Sequence, residues 1–317
     1  MRLPHSCFGA YRQPDPGTLY PLGDTRPVHT GVSIVVPVFN GLPYLRELTD
    51  SLLTQTFEDI EIVFSDGGST DGSVDLLRGI EDPRVQVIEI PPGSGAAANW
   101  TAATNAATRE FTKLICQDDL LYPTAIADQV ADLRASGAVM AAATRDIVDA
   151  HSKPLYRRRG LEGIDRTVST IPGRAAIRAC YLAGTNVLGE PLAVMFRTET
   201  LQSEMPWSDE NPLMLDLSLY QKVAPRGDVV LRRTPVGAFR VSDASWSTRL
   251  AKQQSEQTRR WQDQYAANAA PPMTASERMR AALGRRRQIL TRRAAYRILG
   301  ARGSLRSAPA DPPRLAT

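Results

Sequence analysis

Two adjacent acids, Asp118 and Asp119, end an apolar segment that begins at Phe111 and has the composition of a buried strand. In an α/β sheet such a strand delivers the residues that follow it to the crevice at the carboxyl edge, where ligands bind. Divalent Mg²⁺ and Mn²⁺ prefer one or two carboxylates and take their other ligands from water and phosphate oxygens. The pair of acids therefore predicts a site for a nucleoside diphosphate and a metal ion.

The turn Ser65-Asp66-Gly-Gly-Ser-Thr-Asp-Gly72 is a second candidate, because it follows a strand-like segment and precedes a helix-like one. Its glycines permit positive φ and close backbone approach, and Asp66 at the strand end can accept hydrogen bonds from a base or a ribose. Asp and Gly also fill most tight turns. Taken alone, the turn favours a structural role.

These residues need a scaffold, and the spacing of apolar residues predicts one in which strands and helices alternate. Such alternation indicates an α/β fold with a mostly parallel sheet covered by helices. Residues 151–173 break the pattern and predict a long irregular loop, a lid that faces the substrate. The predicted strands are residues 32–38, 60–64, 85–90, 112–116, 138–144, 192–196, 229–232 and 236–239, and the predicted helices are residues 42–55, 73–80, 96–108, 214–223 and one that ends at about 135.

The composition is that of a soluble globular protein, since 42% of the 317 residues are hydrophobic and 23% are charged. No segment approaches the roughly 18 apolar residues of a membrane-spanning helix. Residues 1–30 contain several prolines, predict an irregular arm and lack the apolar centre of a signal peptide. We therefore expect a cytoplasmic protein.

Three segments at the predicted sheet edge, residues 35–40, 65–72 and 116–119, closely resemble the opening motifs of family 2 glycosyltransferases, which have the GT-A nucleotide-sugar fold. The resemblance covers residues 31–250. It implies a GT-A domain over that range, with a Rossmann-like, mostly parallel sheet covered by helices. Further segments fall in the family order: Asn99-Trp100, Gly189-Glu-Pro191, Asp216 within residues 214–220, and Arg240 followed by Ser245-Trp-Ser247.

The resemblance assigns most of these residues to a nucleotide-sugar donor. Asp66 would contact the base, and Asp118 would lie under the diphosphate as the likeliest ligand of Mn²⁺ or Mg²⁺, with Asp119 beside it. The family often has an acid where this chain has Cys116, so side-chain coordination of the metal could rest on one carboxylate. The other residues implied at the donor site are Pro37, Phe39, Asn40, Asn99 and Arg240.

The resemblance also implies a base and an acceptor-side residue. Asp216 would take the proton of the acceptor hydroxyl, which makes the reaction an inverting single displacement; spacing alone would favour an exposed acid on an amphipathic helix. Glu190 would lie near the acceptor, or would equally brace its own loop. Arg240 would bind phosphate as a fixed cation, whereas Ser242 stands where the family commonly has His.

The C-terminal part differs from the rest in charge. Residues 251–317 hold fourteen Lys and Arg and four acids, a net charge of +10, which leaves −6 for residues 1–250 of a chain whose total is +4. We predict a basic helical extension here, with a disordered end. Residues 278–306 contain ten Arg and no acid, with apolar residues at helical spacing, so they predict contact with an anionic membrane surface. A solvated tail is the alternative; nucleic acid is disfavoured because Tyr296 is the single aromatic residue there.

These observations predict a metal-dependent glycosyltransferase of cell-envelope polysaccharide biosynthesis. It would transfer a sugar from a nucleotide-diphosphate donor to a hydroxyl of a lipid-linked or polysaccharide acceptor, peripherally at the inner face of the membrane. One alternative is a nucleotidyltransferase, but residues 35–40 lack a glycine-rich phosphate loop with Lys or Arg. The other is a catalytically inactive nucleotide-sugar-binding partner protein, which Cys116 and Ser242 keep open.

Overall fold

The computed structural model describes residues 29–243, 245, 248, 253–301 and 303–306. The predictions of an irregular arm before residue 29 and of a disordered end after residue 306 fall outside these residues. The strands are β1 (His29–Val38), β2 (Ile60–Asp66), β3 (Val85–Glu89), β4 (Arg109–Leu114), β5 (Leu120–Leu121), β6 (Met140–Ala143), β7 (Arg145–Val148), β8 (Pro154–Arg159), β9 (Thr170–Pro172), β10 (Val194–Arg197), β11 (Asp228–Arg232) and β12 (Gly237–Arg240). The helices are α1 (Leu45–Leu53), α2 (Ser73–Arg78), α3 (Gly95–Asn105), α4 (Ala125–Ser136), α5 (Gly173–Ala183), α6 (Thr198–Ser203), α7 (Leu215–Val223), α8 (Gln254–Asn268) and α9 (Ala275–Ala301).

An eight-stranded sheet, in the order β3-β2-β1-β4-β10-β6-β11-β9, forms the centre of the molecule. Strands β3, β2, β1 and β4 are parallel, as are β6 and β11, whereas β10 is antiparallel to both of its neighbours and β9 is antiparallel to β11. The predicted α/β class with a mostly parallel sheet is confirmed.

Strand β1 forms from a β-branched run whose residues 32–38 are all buried, as expected for a strand covered on both faces. Its register places Val38 opposite Asp66 of β2 and Val35 opposite Leu114 of β4. Because the three strands are parallel, the segments that follow them meet at one edge of the sheet. This edge holds the acidic pair and the glycine-rich turn.

The prediction of an irregular loop over residues 151–173 was wrong in part. A second sheet, in the order β5-β12-β7-β8, takes residues 154–159 as its edge strand, and residues 170–172 form β9 at the edge of the main sheet. Most of β8 is exposed, including its run of three arginines. Charged edge strands lack the apolar alternation by which strands are predicted from sequence.

Helices α8 and α9 pack on the same hydrophobic cluster as the main sheet, through Trp261, Ala266 and Ala281. Helix α9 crosses α5, which the sequence did not predict. At the crossing, a Cβ atom on Gly284 would lie 2.4 Å from the main-chain oxygen of Leu182. Helices α8 and α9 therefore share the core of the residues that precede them, and the domain boundary at residue 250 stays a prediction.

Candidate functional site

The two adjacent acids have different environments at the sheet edge. Asp118 is half-buried, whereas Asp119 is 0% exposed and its Oδ1 accepts a hydrogen bond from the Arg240 main-chain N (3.0 Å). Burial raises the pKa of Asp118 to about 6, and burial together with the charge of Asp118 raises the pKa of Asp119 well above its ordinary value. Asp118 is thus the acid that is accessible from the crevice. Asp119 binds the end of strand β12 through Arg240 N.

Arg240 lies differently from the predicted phosphate-binding cation. Its side chain is 1% exposed; Nε donates to the main-chain oxygen of Asp118 (2.8 Å) and a terminal nitrogen donates to Glu47 Oε2 (2.6 Å). The guanidinium also stacks over the Tyr44 ring, 4.4 Å from its centroid, and donates to Ser152 Oγ (2.9 Å). A buried guanidinium held on protein groups has no face open to a phosphate, so its part here is to position Asp118.

Asp66 lies inside the glycine-rich turn and holds it together. Its Oδ2 accepts hydrogen bonds from the main-chain nitrogens of Gly68 (2.8 Å) and Ser69 (2.9 Å), and its Oδ1 accepts one from Ser69 Oγ. Gly68 has a φ of 89°, where a side chain would be strained. Asp66 is nearly buried, so a contact with a base would use the remaining lone pairs of a carboxylate that is already bonded.

Residues 37–40 lead from β1 into the crevice. Pro37 is buried in the strand, and the Phe39 ring is 55% exposed at its end. Asn40 has a φ of 50°, and its Oδ1 accepts a hydrogen bond from Thr70 N (2.8 Å). Asn99, on α3, donates from Nδ2 to the main-chain oxygen of Val38 (2.9 Å). Asn40 and Asn99 therefore fix the loop after β1, and Phe39 presents an open ring to a planar ligand.

The predicted site acids, which follow β4, precede β10 or lie in α7, are all close to the Cys116 thiol. Burial and then the charges of Asp119, Asp118, Asp216 and Glu190, in that order, raise the pKa of Cys116 well above its ordinary value. The four carboxylates, which come from three separate segments of the sequence, thus surround one point of the sheet edge. The predicted donor-side and acceptor-side acids belong to a single crevice.

Asp216 lies in the first turn of α7 and is half-buried. Its Oδ2 accepts a hydrogen bond from Asn186 Nδ2 (2.7 Å), and its Oδ1 accepts one from Leu217 N (2.7 Å). Burial raises the pKa of Asp216 to about 6, although these two hydrogen bonds act to lower it. A carboxyl group with such a pKa is ionised at neutral pH and is a stronger base than an ordinary aspartate.

Glu190 forms an ion pair with Arg145, at 2.5 Å between Oε2 and a terminal guanidinium nitrogen. Burial would raise the pKa of Glu190, but the charge and hydrogen bond of Arg145 outweigh it and lower the pKa below its ordinary value. Glu190 is therefore the weaker base of the two acids. Gly189, with a φ of 103°, makes the preceding turn, where a Cβ atom would lie 2.5 Å from Ala193 Cβ.

The sequence analysis missed four residues that position the site: Gln117, Asn186, Arg145 and Glu47. Gln117 holds the loop after β1 with two hydrogen bonds, from Phe39 N to its Oε1 (2.8 Å) and from its Nε2 to Phe39 O (3.0 Å). Gln117 directly precedes the acidic pair in the sequence, and this position could have identified it as a residue of the site. Asn186 and Arg145 lie far in sequence from the acids that they contact, and Glu47 lies far from Arg240, so no local pattern marks these three.

The described residues contain no group of three or more His, Cys, Asp and Glu side chains placed to hold a metal ion. None of the helices among them is long and apolar enough to cross a membrane.

Two solved structures illustrate the likeness in fold. S. aureus TarS (residues 1–349), in complex with UDP-GlcNAc, superposes with a TM-score of 0.59 and 15% identity, over 84% of this chain and 73% of that one. The mannosyltransferase PcManGT of Pyrobaculum calidifontis, in complex with GDP-Man and Mn²⁺, gives a TM-score of 0.56 and 18% identity, over 88% of this chain and 77% of that one. These likenesses confirm the predicted GT-A fold.

Relatives in sequence match a shorter part of the chain. The glycosyltransferase GlyG of Streptococcus pneumoniae is 34% identical over 92 residues, which is 28% of this chain and 31% of that protein. The chondroitin synthase of Pasteurella multocida is 33% identical over 97 residues, which is 30% of this chain and 10% of that protein. The chain thus matches about a third or less of the length of these relatives.

The model of the family described as glycosyl transferase family 2 matches residues 33–197, more than half of the 317 residues. That range includes the strands that carry the glycine-rich turn, the acidic pair and Glu190. The resemblance seen in the sequence is confirmed, and the chain belongs to glycosyl transferase family 2.

Proposed function

We propose that this protein is a glycosyltransferase that moves a sugar from a nucleotide-diphosphate donor to an acceptor hydroxyl by an inverting single displacement, with Asp216 as the base. The observation that carries the proposal is Asp216 itself: a half-buried carboxyl group with a pKa of about 6, in the same crevice as Asp118.

The donor is proposed to lie along the edge formed by β1, β2 and β4. The exposed Phe39 ring and the turn around Asp66 offer an aromatic face and hydrogen-bond acceptors for a base, and the accessible Asp118 is proposed to lie under the diphosphate. TarS and PcManGT, which share the fold, are complexed with UDP-GlcNAc and GDP-Man. This chain is proposed to take a donor of the same chemical class, a nucleoside diphosphate sugar.

A divalent cation, Mn²⁺ or Mg²⁺, fits the acid residues at this edge. Asp118 supplies one accessible carboxylate, and one carboxylate suffices for a hard cation that takes its other ligands from diphosphate and water. Asp119 is fully buried: its Oδ1 accepts the hydrogen bond from Arg240 N, and its Oδ2 has no hydrogen-bond partner among the described residues. When bound, the cation would neutralise charge on the departing diphosphate.

The base is proposed to act by accepting the proton of the acceptor hydroxyl as that oxygen attacks the anomeric carbon. One C–O bond forms, the bond from the anomeric carbon to the β-phosphate oxygen breaks, and the nucleoside diphosphate leaves with the electron pair. Asn186 and Leu217 N hold the two Asp216 oxygens, so the carboxylate is oriented before the acceptor arrives. Glu190 is held by Arg145 and would shape the acceptor side of the crevice.

Sugar release or transfer from UDP-, GDP- and dTDP-sugars, measured with Asp216→Asn and with Asp209→Asn, tests the proposal. Asp209 is exposed, so its variant is a matched control for the change of charge. We expect Asp216→Asn to lower turnover by about 10²- to 10⁴-fold, the usual contribution of a general base, and Asp209→Asn to leave it unchanged. A wild-type protein that binds a nucleotide sugar but never turns it over would instead support the inactive nucleotide-sugar-binding alternative.

The acceptor is proposed to be lipid-linked, or a polysaccharide, at the cytoplasmic face of a membrane. Helix α9 supports this through its outer face, where Met279, Leu283 and Leu290 are each more than half exposed. About one helical turn separates Met279 from Leu283 and about two separate Leu283 from Leu290, so they form one apolar stripe. Arginines flank that stripe, and a basic amphipathic face of this kind binds anionic lipid surfaces. The flanking residues are Arg286, Arg293 and Arg297, all on the outer face.

A further inference from the structure

Helix α9 passes over the candidate site rather than away from it. In its first half, at Gly284, the helix crosses the end of α5 at Gly184; a Cβ atom on Gly184 would lie 2.4 Å from Arg285 N. The Asn186 loop, which holds Asp216, follows directly after this crossing.

The other end of α9 is attached on the opposite side of the site. After the helix, the main-chain oxygens of Ser304 and Leu305 accept hydrogen bonds from Ala150 N (3.1 Å) and Asp243 N (2.7 Å). These two residues lie beside Arg240, the residue that positions Asp118. Between the two attachments the helix runs for about 24 Å, at roughly 1.5 Å per residue. It therefore spans the crevice from its acceptor side to its donor side.

Arg292 lies on the inner face of this span. It follows Ala281 by about three helical turns and precedes Leu299 by about two, and both of these residues are buried. Arg292 itself is half-buried. Its positive charge offsets part of the rise in pKa that burial causes in Asp216, and it adds to the larger effect of Arg145 in lowering the pKa of Glu190. The guanidinium is therefore close to the acceptor-side carboxylates.

Within the part of the chain that the structure describes, Arg292 donates no hydrogen bond and has no carboxylate within ion-pair distance. Glu190 is paired with Arg145, and Asp216 is bonded to Asn186. Arg285, on the same face of the helix, donates to Gln262 Oε1 (2.6 Å) and is occupied. Arg292 is thus an inward-facing cation whose five N–H donors are available to a ligand.

We infer that Arg292 binds a phosphate group of the acceptor and so brings the acceptor hydroxyl to Asp216. A guanidinium matches phosphate oxygens with two parallel hydrogen bonds, which gives orientation as well as affinity. The donor diphosphate is a poorer candidate ligand for Arg292. The cation whose charge affects Asp118, on the donor side, is Arg240, whereas the charge of Arg292 affects Glu190 and Asp216 on the acceptor side. This inference deepens the proposed function and rests on it: the acceptor is a phosphate-bearing molecule.

Two adjacent substitutions test it. Arg292→Gln and Arg293→Gln remove the same charge from neighbouring positions, but Arg293 is exposed on the outer face. The probe is methyl phosphate, added to protein saturated with a nucleoside diphosphate and followed by the broadening of its ³¹P signal. We expect Arg292→Gln to weaken methyl phosphate binding by about tenfold or more, the usual effect of losing a charged hydrogen bond. Arg293→Gln should match the wild-type protein, and Arg292→Lys should recover part of the affinity.

Three outcomes would overturn the inference: no saturable binding of methyl phosphate to the wild-type protein, equal binding by the two glutamine variants, or a loss of nucleoside diphosphate affinity in Arg292→Gln with methyl phosphate affinity intact. The last would assign Arg292 to the donor. A protein that bound no nucleotide at all would count against the proposed function. The methyl phosphate comparison, repeated without nucleotide, would then still decide the role of Arg292.

Discussion

At the scale of residues, Asp216 and Glu190 show how neighbours give two acids of one crevice different properties. Asp216 is bonded to a neutral amide and a main-chain N–H, so burial keeps its pKa at about 6. Glu190 is paired with the buried Arg145, which lowers its pKa. The acid with the higher pKa accepts a proton more readily, and this difference supports Asp216 as the proposed base.

The pH dependence of turnover follows from that assignment. A base acts in its ionised form, so kcat should rise with pH through about 6 and level off above it. A profile of kcat from pH 5 to 8, at saturating donor, measures this. A profile that fell as the pH rose through this range would be inconsistent with a carboxylate base.

Asn186 should set the position of that profile. Asn186→Ala removes a hydrogen bond that favours the ionised form of Asp216, so the pKa rises and the midpoint of the profile moves to higher pH. A hydrogen bond to a charged group corresponds to a shift of about one unit or more. Asn105→Ala, an exposed residue at the end of α3, is the control and should leave the midpoint in place. If both variants kept the wild-type midpoint, Asp216 would not be the titrating base.

At the scale of elements, the sequence predicted those that bury apolar residues periodically. The first four parallel strands and the helices between them were predicted with small errors at their ends, because β-branched runs and leucine spacing report burial directly. Helix α5 and strand β8 were missed: β8 is a charged edge strand, and α5 begins only where the predicted irregular segment 151–173 ends. The positions of the acids were predicted, but their partners Asn186 and Arg145 were not, since those contacts exist only once the chain is folded.

The crossing of α5 and α9 makes a prediction about stability. Gly284→Ala places a methyl group 2.4 Å from Leu182 O, so the helices must separate, and we expect a loss of about 1–3 kcal/mol in the free energy of unfolding. Gly300→Ala in the same helix meets its nearest atom at 4.0 Å and should gain up to about 1 kcal/mol from helix propensity. Denaturant titrations of the two variants measure both changes. Equal effects in the two would mean that α9 does not pack closely on α5.

At the scale of the whole molecule, α9 has two faces with separate proposed roles. Its inner face carries Arg292 over the crevice, and its outer face carries the apolar stripe of Met279, Leu283 and Leu290. An enzyme that draws a phosphate-bearing acceptor from a lipid surface needs a surface contact and an anion contact close together. The charge of the sequence is uneven, with −6 in residues 1–250 and +10 in residues 251–317, and it would orient the basic face towards an anionic surface.

Vesicle binding tests the outer face. Replacing Met279, Leu283 and Leu290 together by Ser should abolish cosedimentation with vesicles that contain phosphatidylserine, because these side chains supply the buried apolar area. Arg293→Gln should weaken binding by about 1 kcal/mol, and high salt should weaken the binding of every variant. Arg292→Gln, on the inner face, should bind vesicles nearly as the wild-type protein does. Unchanged binding by the triple variant would remove the membrane contact from the account.

The most direct test of the central claim is thermal unfolding of the wild-type protein and of Asp118→Asn with UDP-, GDP- and dTDP-sugars, each with Mn²⁺, with Mg²⁺ and without metal. The account predicts that one nucleotide class raises the Tm of the wild-type protein in a metal-dependent manner, by roughly the shift expected for about 3 kcal/mol at a hundredfold excess over Kd. The shift should be lost in Asp118→Asn. No stabilisation by any nucleotide sugar with either metal, or an equal shift in the variant, would contradict a donor site at Asp118.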